Sequence, residues 1–578
     1  MMDLARGFVA ILILVTGCRS QLAREGATDG AITDGPGVTD GPRVWDAEAT
    51  DTSNGPDSGG VVDSGSVVDS SSAIDSISVV DAGSVIDAAT AADASSDTPL
   101  DAAIPDDPTI IPGAANRILL LGMLVTPEIV VDGAVLVEGN LITCVDGRAA
   151  CAAMPGAVGA TLIDTRGVIS PGLVDTHNHI LFDIFDDADW YPTQIYQDHD
   201  QWPNEARYKA MLDVKQCLVN DSQGKPAWCA QTPYGTSAGS LRCEIDKWGE
   251  LKGLIAGTTS IVGLAGTTST CFSSLARSID SAQNGLGQDK VQTSALFPPS
   301  SPSTVCQNFA SGKTDAYLVH VGEGTDAKAL GEFARLGTLT TPAGCLYAPQ
   351  TAITHGTAFT STEFSVMGQA GMKLIWSPHS NVSLYGQTVN IPAALDAGVS
   401  VSLAPDWSMG GSQNMLDELR FADAWDNTHW NDRLSAKDIV AMGTVNGAKA
   451  IALDNKLGKL EVGHLADIAV FRGDVTVPYA AILAARPKDV RLVMVNGVVL
   501  YGDSLLQAAG PAQPGCETID ICGVSKFLCT ATSVTTNKLD QTYAQIYTAL
   551  EQALLLADAL TPSDGFSFSP IAPLVRCD

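Results

Sequence analysis

The sequence predicts an α/β protein built on a (β/α)8 TIM-like barrel, and three observations carry that reading. From residue 171 to 451, short apolar runs alternate with helix-like stretches, the pattern of parallel strands joined by crossover helices. The span is close to the ~250 residues that such a barrel occupies. Groups of short aliphatic runs broken by Gly and Asp turns flank it at 114–170 and 452–505, so β-rich segments bracket the barrel. With 45% hydrophobic and 17% charged residues, the chain is long enough for a large core and more than one domain.

Residues 1–18 stand outside that core. Arg6 precedes the apolar run Phe8 to Val15, which is too short to span a bilayer and suits a signal peptide. It ends in Val15-Thr-Gly-Cys18, which resembles a bacterial lipoprotein lipobox. That resemblance implies cleavage before Cys18, acylation of this cysteine, and an exported protein held in the cell envelope by its lipid anchor. Residues 19–113 are mostly Asp, Ser, Gly, Ala and Val, with 18 acidic against 3 basic residues. Asp57, Asp63, Asp69, Asp75, Asp81, Asp87 and Asp93 recur at every sixth position. A hexapeptide solenoid needs capping elements that this stretch lacks, so it is read as a low-complexity disordered linker. As a flexible coil it spans on the order of 50 Å. The net charge of −32 argues against nucleic acid as a partner.

Within 114–170, Ile118 to Leu121, Ala134 to Glu138 and Leu141 to Cys144 read as short strands. The barrel then opens with Pro171-Gly-Leu-Val-Asp175-Thr-His177-Asn-His179. On a strand, residues two apart share a side, so His177 and His179 converge. Two neutral imidazoles form a donor pair that zinc or iron accepts. Residues 180–250 are a long polar and aromatic insertion, with Trp190, Tyr191, Trp202 and Trp228, placed to cover a substrate at the barrel mouth. Gly235-Thr-Ser237-Ala-Gly239 fits the spacing of a nucleophile elbow but follows Thr232-Pro233-Tyr234 in a loop, without the strand that an elbow requires. The third and fourth strands fall between Leu275 and Phe297. After the barrel come Ala466 to Phe471 and Leu492 to Leu500, with a hairpin turn at Asn496-Gly497. Residues 506–578 form a Cys-containing helical extension. In it Leu539, Tyr543, Ile546, Tyr547, Leu550 and Leu554 repeat at helical spacing, as in an amphipathic helix docking on the barrel.

Several further motifs follow the His pair in order: Gly257-Thr-Thr-Ser-Ile261, Leu318-Val-His320-Val-Gly-Glu323, Thr354-His355-Gly356, Ser377-Pro-His379-Ser-Asn381, Gly398 through Ala404-Pro405-Asp406, and Gly458 through Asp467. Together, over residues 115–505, they resemble the amidohydrolase superfamily of metal-dependent hydrolases, and within it the branch of heterocycle deaminases and triazine chlorohydrolases. The resemblance implies that the segments before and after the barrel join in one small β-sandwich. It also implies that His177, His179, His320 and Asp406 hold one divalent metal ion, zinc or alternatively iron. Metal binding can lower the pKa of a water from 15.7 to near 7, giving hydroxide at neutral pH. Glu323 would then protonate the substrate or its leaving nitrogen, His355 would orient the water and polarise the tetrahedral centre, and Asp406 would also accept the water's proton. Trp376, His379, Asn381 and Trp407 are candidate substrate contacts. His199, His429 and His464 lie off the motifs and are read as structural. Two-metal members of the superfamily bridge their ions with a lysine or glutamate, and neither Lys290 nor Lys313 ends a strand, which leaves one ion.

The function expected is hydrolysis of carbon–nitrogen bonds other than ordinary peptide bonds, as deamination or dehalogenation of a small nitrogen heterocycle. A hydrolase of cyclic or peptide-like amides, similar to imidazolonepropionase or a dipeptidase, is the alternative on the same fold. A non-catalytic surface lipoprotein is the alternative outside enzymes. The chain departs from the family pattern at Ala404-Pro405-Asp406 and at His379, which bears on substrate identity and leaves the metal untouched. Removing Cys18 from the thirteen cysteines leaves twelve, an even number suited to disulfides in an oxidising compartment. Cys144 with Cys151, the group Cys217, Cys229 and Cys243, and the tail group Cys516, Cys522, Cys529 and Cys577 are the places to look.

Overall fold

A computed structural model describes residues 106–577 except 127–129, 222–223, 264–270, 272–273, 282–283, 287–289, 534–537 and 564. The lipobox with Cys18 and the six-residue Asp repeat lie outside the described residues.

Among the described residues, eight short strands run through the middle of the chain: β1 (Leu173–Asp175), β2 (Thr258–Ile261), β3 (Arg277–Ser278), β4 (Val291–Ser294), β5 (Ala316–Val321), β6 (Thr351–His355), β7 (Lys373–Trp376) and β8 (Ser400–Leu403). They form parallel sheets of three and five strands in chain order, β1 to β3 and β4 to β8. The third and fourth strands fall inside the predicted 275–297 window. Beyond β1 and β8 the two sheets meet at a parallel bridge between Asn178 and Asp406, where His179 N donates to Asp406 O (2.7 Å) and Asp406 N to His177 O (3.0 Å). β5 reads Ala-Tyr-Leu-Val-His-Val and is buried at every position, as expected of a parallel strand covered on both faces. One apolar cluster draws on every strand or the residue just after it, from Val174 and Val291 through Leu318, Ala352 and Ile375 to Ala404. Crossover helices are capped locally. The Asp326 side chain accepts from Ala329 N ahead of Ala327–Leu336, and Asn414 from Leu416 N and Asp417 N ahead of Met415–His429.

The flanking segments meet in one continuously hydrogen-bonded sheet of ten strands. The join is antiparallel pairing of Ile468–Phe471 with the long strand Ala160–Pro171, which on its other side pairs in parallel with Ala114–Val125, so hydrogen bonding runs unbroken from one segment to the other. The Asn496-Gly497 turn lies between Val490–Val495 and Val498–Asp503, with φ of 52° and 80°, the left-handed pair that a two-residue hairpin turn requires.

The tail corrects the expectation of a purely helical extension. Glu517–Ile521 and Val524–Leu528 add two antiparallel strands to the sheet before the helix Tyr543–Leu560 begins. That helix starts with a capping box of Thr542 and Gln545 and buries Ile546, Leu550, Leu554 and Ala557 at helical spacing. It docks on the helices that follow β1. Trp248 stacks on Tyr543 with ring centroids 6.0 Å apart, and Glu244 receives Lys538 (2.8 Å) and Gln541 (2.7 Å). Farther on, Phe568 packs on Phe185, and Arg576 pairs with the buried Asp186. All twelve remaining cysteines form bridges: Cys144–Cys151, Cys217–Cys229, Cys243–Cys271, Cys306–Cys345, Cys516–Cys529 and Cys522–Cys577. Cys243 thus pairs outside its expected group. Loop entropy makes each bridge worth about 2 to 4 kcal/mol. Among the described residues no helix is long and apolar enough to cross a membrane.

Candidate active site

The two histidines of the first motif lie just past β1, on a stretch held by Asp175, whose carboxylate accepts from His177 N (3.1 Å) and Asn178 Nδ2 (2.9 Å). His320 comes from inside β5, His355 ends β6, and Asp406 follows β8. His355 and Asp406 sit at φ 71° and 73°, left-handed conformations that cost a non-glycine residue about 1 kcal/mol or more. The strained turns aim both side chains at the centre. There His177 Nε2 lies 3.0 Å from His320 Nε2 and 3.2 Å from Asp406 Oδ1, with His179 Nε2 3.3 Å from the same oxygen.

Hydrogen bonds behind the rings bear on their tautomers. His320 donates from Nδ1 to the Ser294 carbonyl (3.0 Å), and His177 Nδ1 faces the Ser377 hydroxyl (3.1 Å), so each can turn a bare Nε2 toward the centre. His355 differs. Its Nδ1 receives the Asn381 amide hydrogen (2.9 Å), an orientation supported by Thr388, whose hydroxyl donates to Asn381 Oδ1 (3.3 Å). The His355 proton therefore sits on Nε2, which faces Glu323 Oε2 at 3.7 Å. Distance alone would also group His355 with His177 and Asp406 as metal donors, but a protonated nitrogen is a hydrogen-bond donor and no ligand.

Burial sets the protonation of the cluster. It holds His177, His179 and His355 well below the usual imidazole range and His320 down to about 4, so all four rings are neutral. Burial, then the nearby charge of Glu323, raises Asp406 well above an ordinary carboxyl. Three neutral imidazoles around a buried carboxylate are the donor set of a divalent ion, whose charge would stabilise the Asp406 anion.

The cluster opens into a cavity of ≈ 110 Å³ with an aromatic wall of Phe182, Trp202, Tyr208 and Trp407. Trp407 lies beside the histidine cluster, its ring 5.6 Å from that of His179, and its indole Nε1 is buried with no acceptor among the described residues. Glu323 borders the same space. Its Oε1 accepts from the Tyr385 hydroxyl (2.7 Å), which in turn receives Trp202 Nε1 (3.1 Å). Burial raises the Glu323 carboxyl, against the opposing charge of His199 and the Tyr385 hydrogen bond.

The four candidate substrate contacts separate. Trp407 lines the cavity, and Asn381 acts through His355. Trp376 is fully buried, bonded to Thr388 (2.7 Å) and packed on Trp430, so it belongs to the core. His379 opens instead on a second cavity of ≈ 340 Å³, bonded to Ser412 and stacked on Phe421. His199, read as structural, lines the same cavity as Glu323 and Trp407. Burial works against its charge, but the hydrogen bond to Glu332 (2.8 Å) and the nearby Glu323 push it up to about 9. His429 stacks on Trp425 and His464 bonds to the Asp454 carbonyl, both away from the site. Lys290 pairs with Asp315 (3.2 Å) and Lys313 is exposed, so neither reaches the cluster.

Residues 316–500 match the amidohydrolase family. A 5'-deoxyadenosine deaminase of Methanosarcina barkeri is 27% identical over 64% of this chain and 88% of its own. A 5-methylthioadenosine/S-adenosylhomocysteine deaminase of Thermococcus onnurineus is 26% identical over 59% of this chain and 85% of its own. Among solved structures, atrazine chlorohydrolase from Arthrobacter aurescens TC1 complexed with zinc is similar at 18% identity and a TM-score of 0.49, over 68% of this chain and 96% of that one.

Proposed function

We propose that the protein is a metal-dependent hydrolase of carbon–nitrogen bonds that deaminates an aminated nitrogen heterocycle, and that its two parallel sheets are the halves of one eight-stranded barrel. The interior cluster shared by all eight strands and the bridge between Asn178 and Asp406 support that closure. One observation carries the chemistry: an acid, a set of neutral imidazoles and a carboxylate share the floor of one aromatic-walled cavity.

His177, His179, His320 and Asp406 would hold the ion, with zinc suited to this mixture of nitrogen and oxygen donors. Such an ion supplies Lewis acidity and brings the pKa of a water near 7. Asp406 takes the proton of the attacking water. The Nε2 proton of His355 stabilises the charge that develops as water adds to the aminated carbon. Glu323, whose carboxyl burial raises and Tyr385 steadies, gives its proton to a ring nitrogen as water adds; the proton held by Asp406 then passes to the amine, the carbon–nitrogen bond breaks to release ammonia, and the hydroxyl proton returns to Glu323 as the carbonyl forms. The indole N–H of Trp407, without an acceptor among the described residues, is placed to bind the ring edge.

Zinc-loaded protein assayed with 5'-deoxyadenosine, 5-methylthioadenosine and S-adenosylhomocysteine, compounds in the names of its relatives, is expected to release ammonia from at least one. Ring opening of a cyclic amide without ammonia, and no turnover of any aminated heterocycle, would move the assignment to the amide-hydrolase alternative. Anchoring through Cys18 is proposed from the lipobox alone. Cys18→Ser is expected to leave the membrane fraction with its activity intact, and recovery of the wild type in solution without detergent would refute the anchor.

A further inference from the structure

The wall of the catalytic cavity runs from the metal donors along a row of rings. Trp407 lies beside His179, Phe182 lies 6.2 Å from Trp407, and the Lys215 ammonium lies over the Phe182 ring at 5.1 Å. Lys215 and Gln216 stand at the far end, on the helix Ala206–Leu218, with Asp221 just past it, and all three line the cavity.

At this end a buried ammonium stands beside a buried amide. Lys215 is 3% exposed, and its one described ion pair, to Asp221, is long at 3.7 Å. Burial lowers its ammonium to about 8, which still leaves it charged at neutral pH. Gln216 is equally buried, and its amide Nε2 has no hydrogen-bond partner among the described residues. Leaving a buried donor without an acceptor is costly, and a ligand group can remove that cost.

Resting on the functional reading above, we infer that Lys215 and Gln216 form a subsite for an anionic substituent, and that the preferred substrate is an aminated heterocycle carrying a carboxylate at the end opposite its amine. The planar ring lies along Trp407 and Phe182, the amine reaches Glu323 and the metal donors, and the carboxylate meets the Lys215 ammonium and the Gln216 amide.

The test compares adenosine-5'-carboxylic acid with neutral adenosine, and measures calorimetric binding of nicotinate, a ring carboxylate with no amine to lose. Wild-type enzyme is expected to favour the acid in kcat/KM. Lys215→Met should reduce that preference by about tenfold or more, the worth of one charge-assisted hydrogen bond, and Lys215→Arg should restore part of it. Nicotinate binding should weaken in parallel. If neither nucleoside releases ammonia, the functional reading fails for these compounds, and the nicotinate arm alone decides the subsite. Equal kcat/KM for the two nucleosides in the wild type, or nicotinate binding indifferent to Lys215→Met, would overturn the inference.

Discussion

Asp406→Ala and His177→Ala are each expected to strip the purified protein of nearly all its metal and all measurable turnover, while wild type holds about one ion per chain. Each residue supplies one donor atom to a cluster whose nitrogens and oxygen lie 3.0 to 3.3 Å apart. Loss of an outer hydrogen-bond partner of a ligand already lowers metal affinity about 10- to 100-fold, and loss of the ligand itself should lower it further. Metal analysis of the purified variants, with circular dichroism to confirm folding, measures this. Asn381→Ala is the internal contrast, because it touches His355 and no metal donor. Two ions per chain at full occupancy in wild type would refute the single-ion site, and retention of one full equivalent by Asp406→Ala would remove this residue from the ligand set.

The sequence revealed the part of this site that is local in the chain. His177 and His179 are two residues apart beside a strand, and spacing alone brought them together. His320, His355 and Asp406 stand in or just past strands far apart in sequence, so no periodicity links them, and only the ordered motifs pointed to them. Tyr385, His199 and Lys215 come from the helix after β7 and from the insertion. They carry no motif, and the aromatic content of 180–250 announced a wall without naming its polar members. Trp376 was misplaced for a reason visible in strand geometry. Its neighbour Ile375 belongs to the interior cluster, so alternation turns Trp376 outward against Trp430. The tail strands escaped because Glu517–Ile521 and Val524–Leu528 mix charged with apolar residues over only five positions each, too short for a distinct period.

Glu323→Gln separates proton transfer from metal binding, which the ligand variants cannot do. Glutamine keeps the size of the side chain and an oxygen to accept the Tyr385 hydroxyl, so the hydrogen-bonded row from Trp202 through Tyr385 should survive. The proton is what it lacks. Metal content is therefore expected to stay at the wild-type value while kcat falls by about 10²-fold or more, the usual worth of a general acid. The pH profile gives a second readout. Burial raises the Glu323 carboxyl above its ordinary value, so its protonated form extends to higher pH than that of an exposed glutamate. Activity that needs this proton is present below the raised pKa and lost as pH climbs through it, and Glu323→Gln should lack that alkaline limb. A variant that loses metal together with activity would place Glu323 among the ligands. One that turns over at the wild-type rate would leave the ring nitrogen to be protonated by another donor, with the cationic His199 beside Glu323 the first to examine.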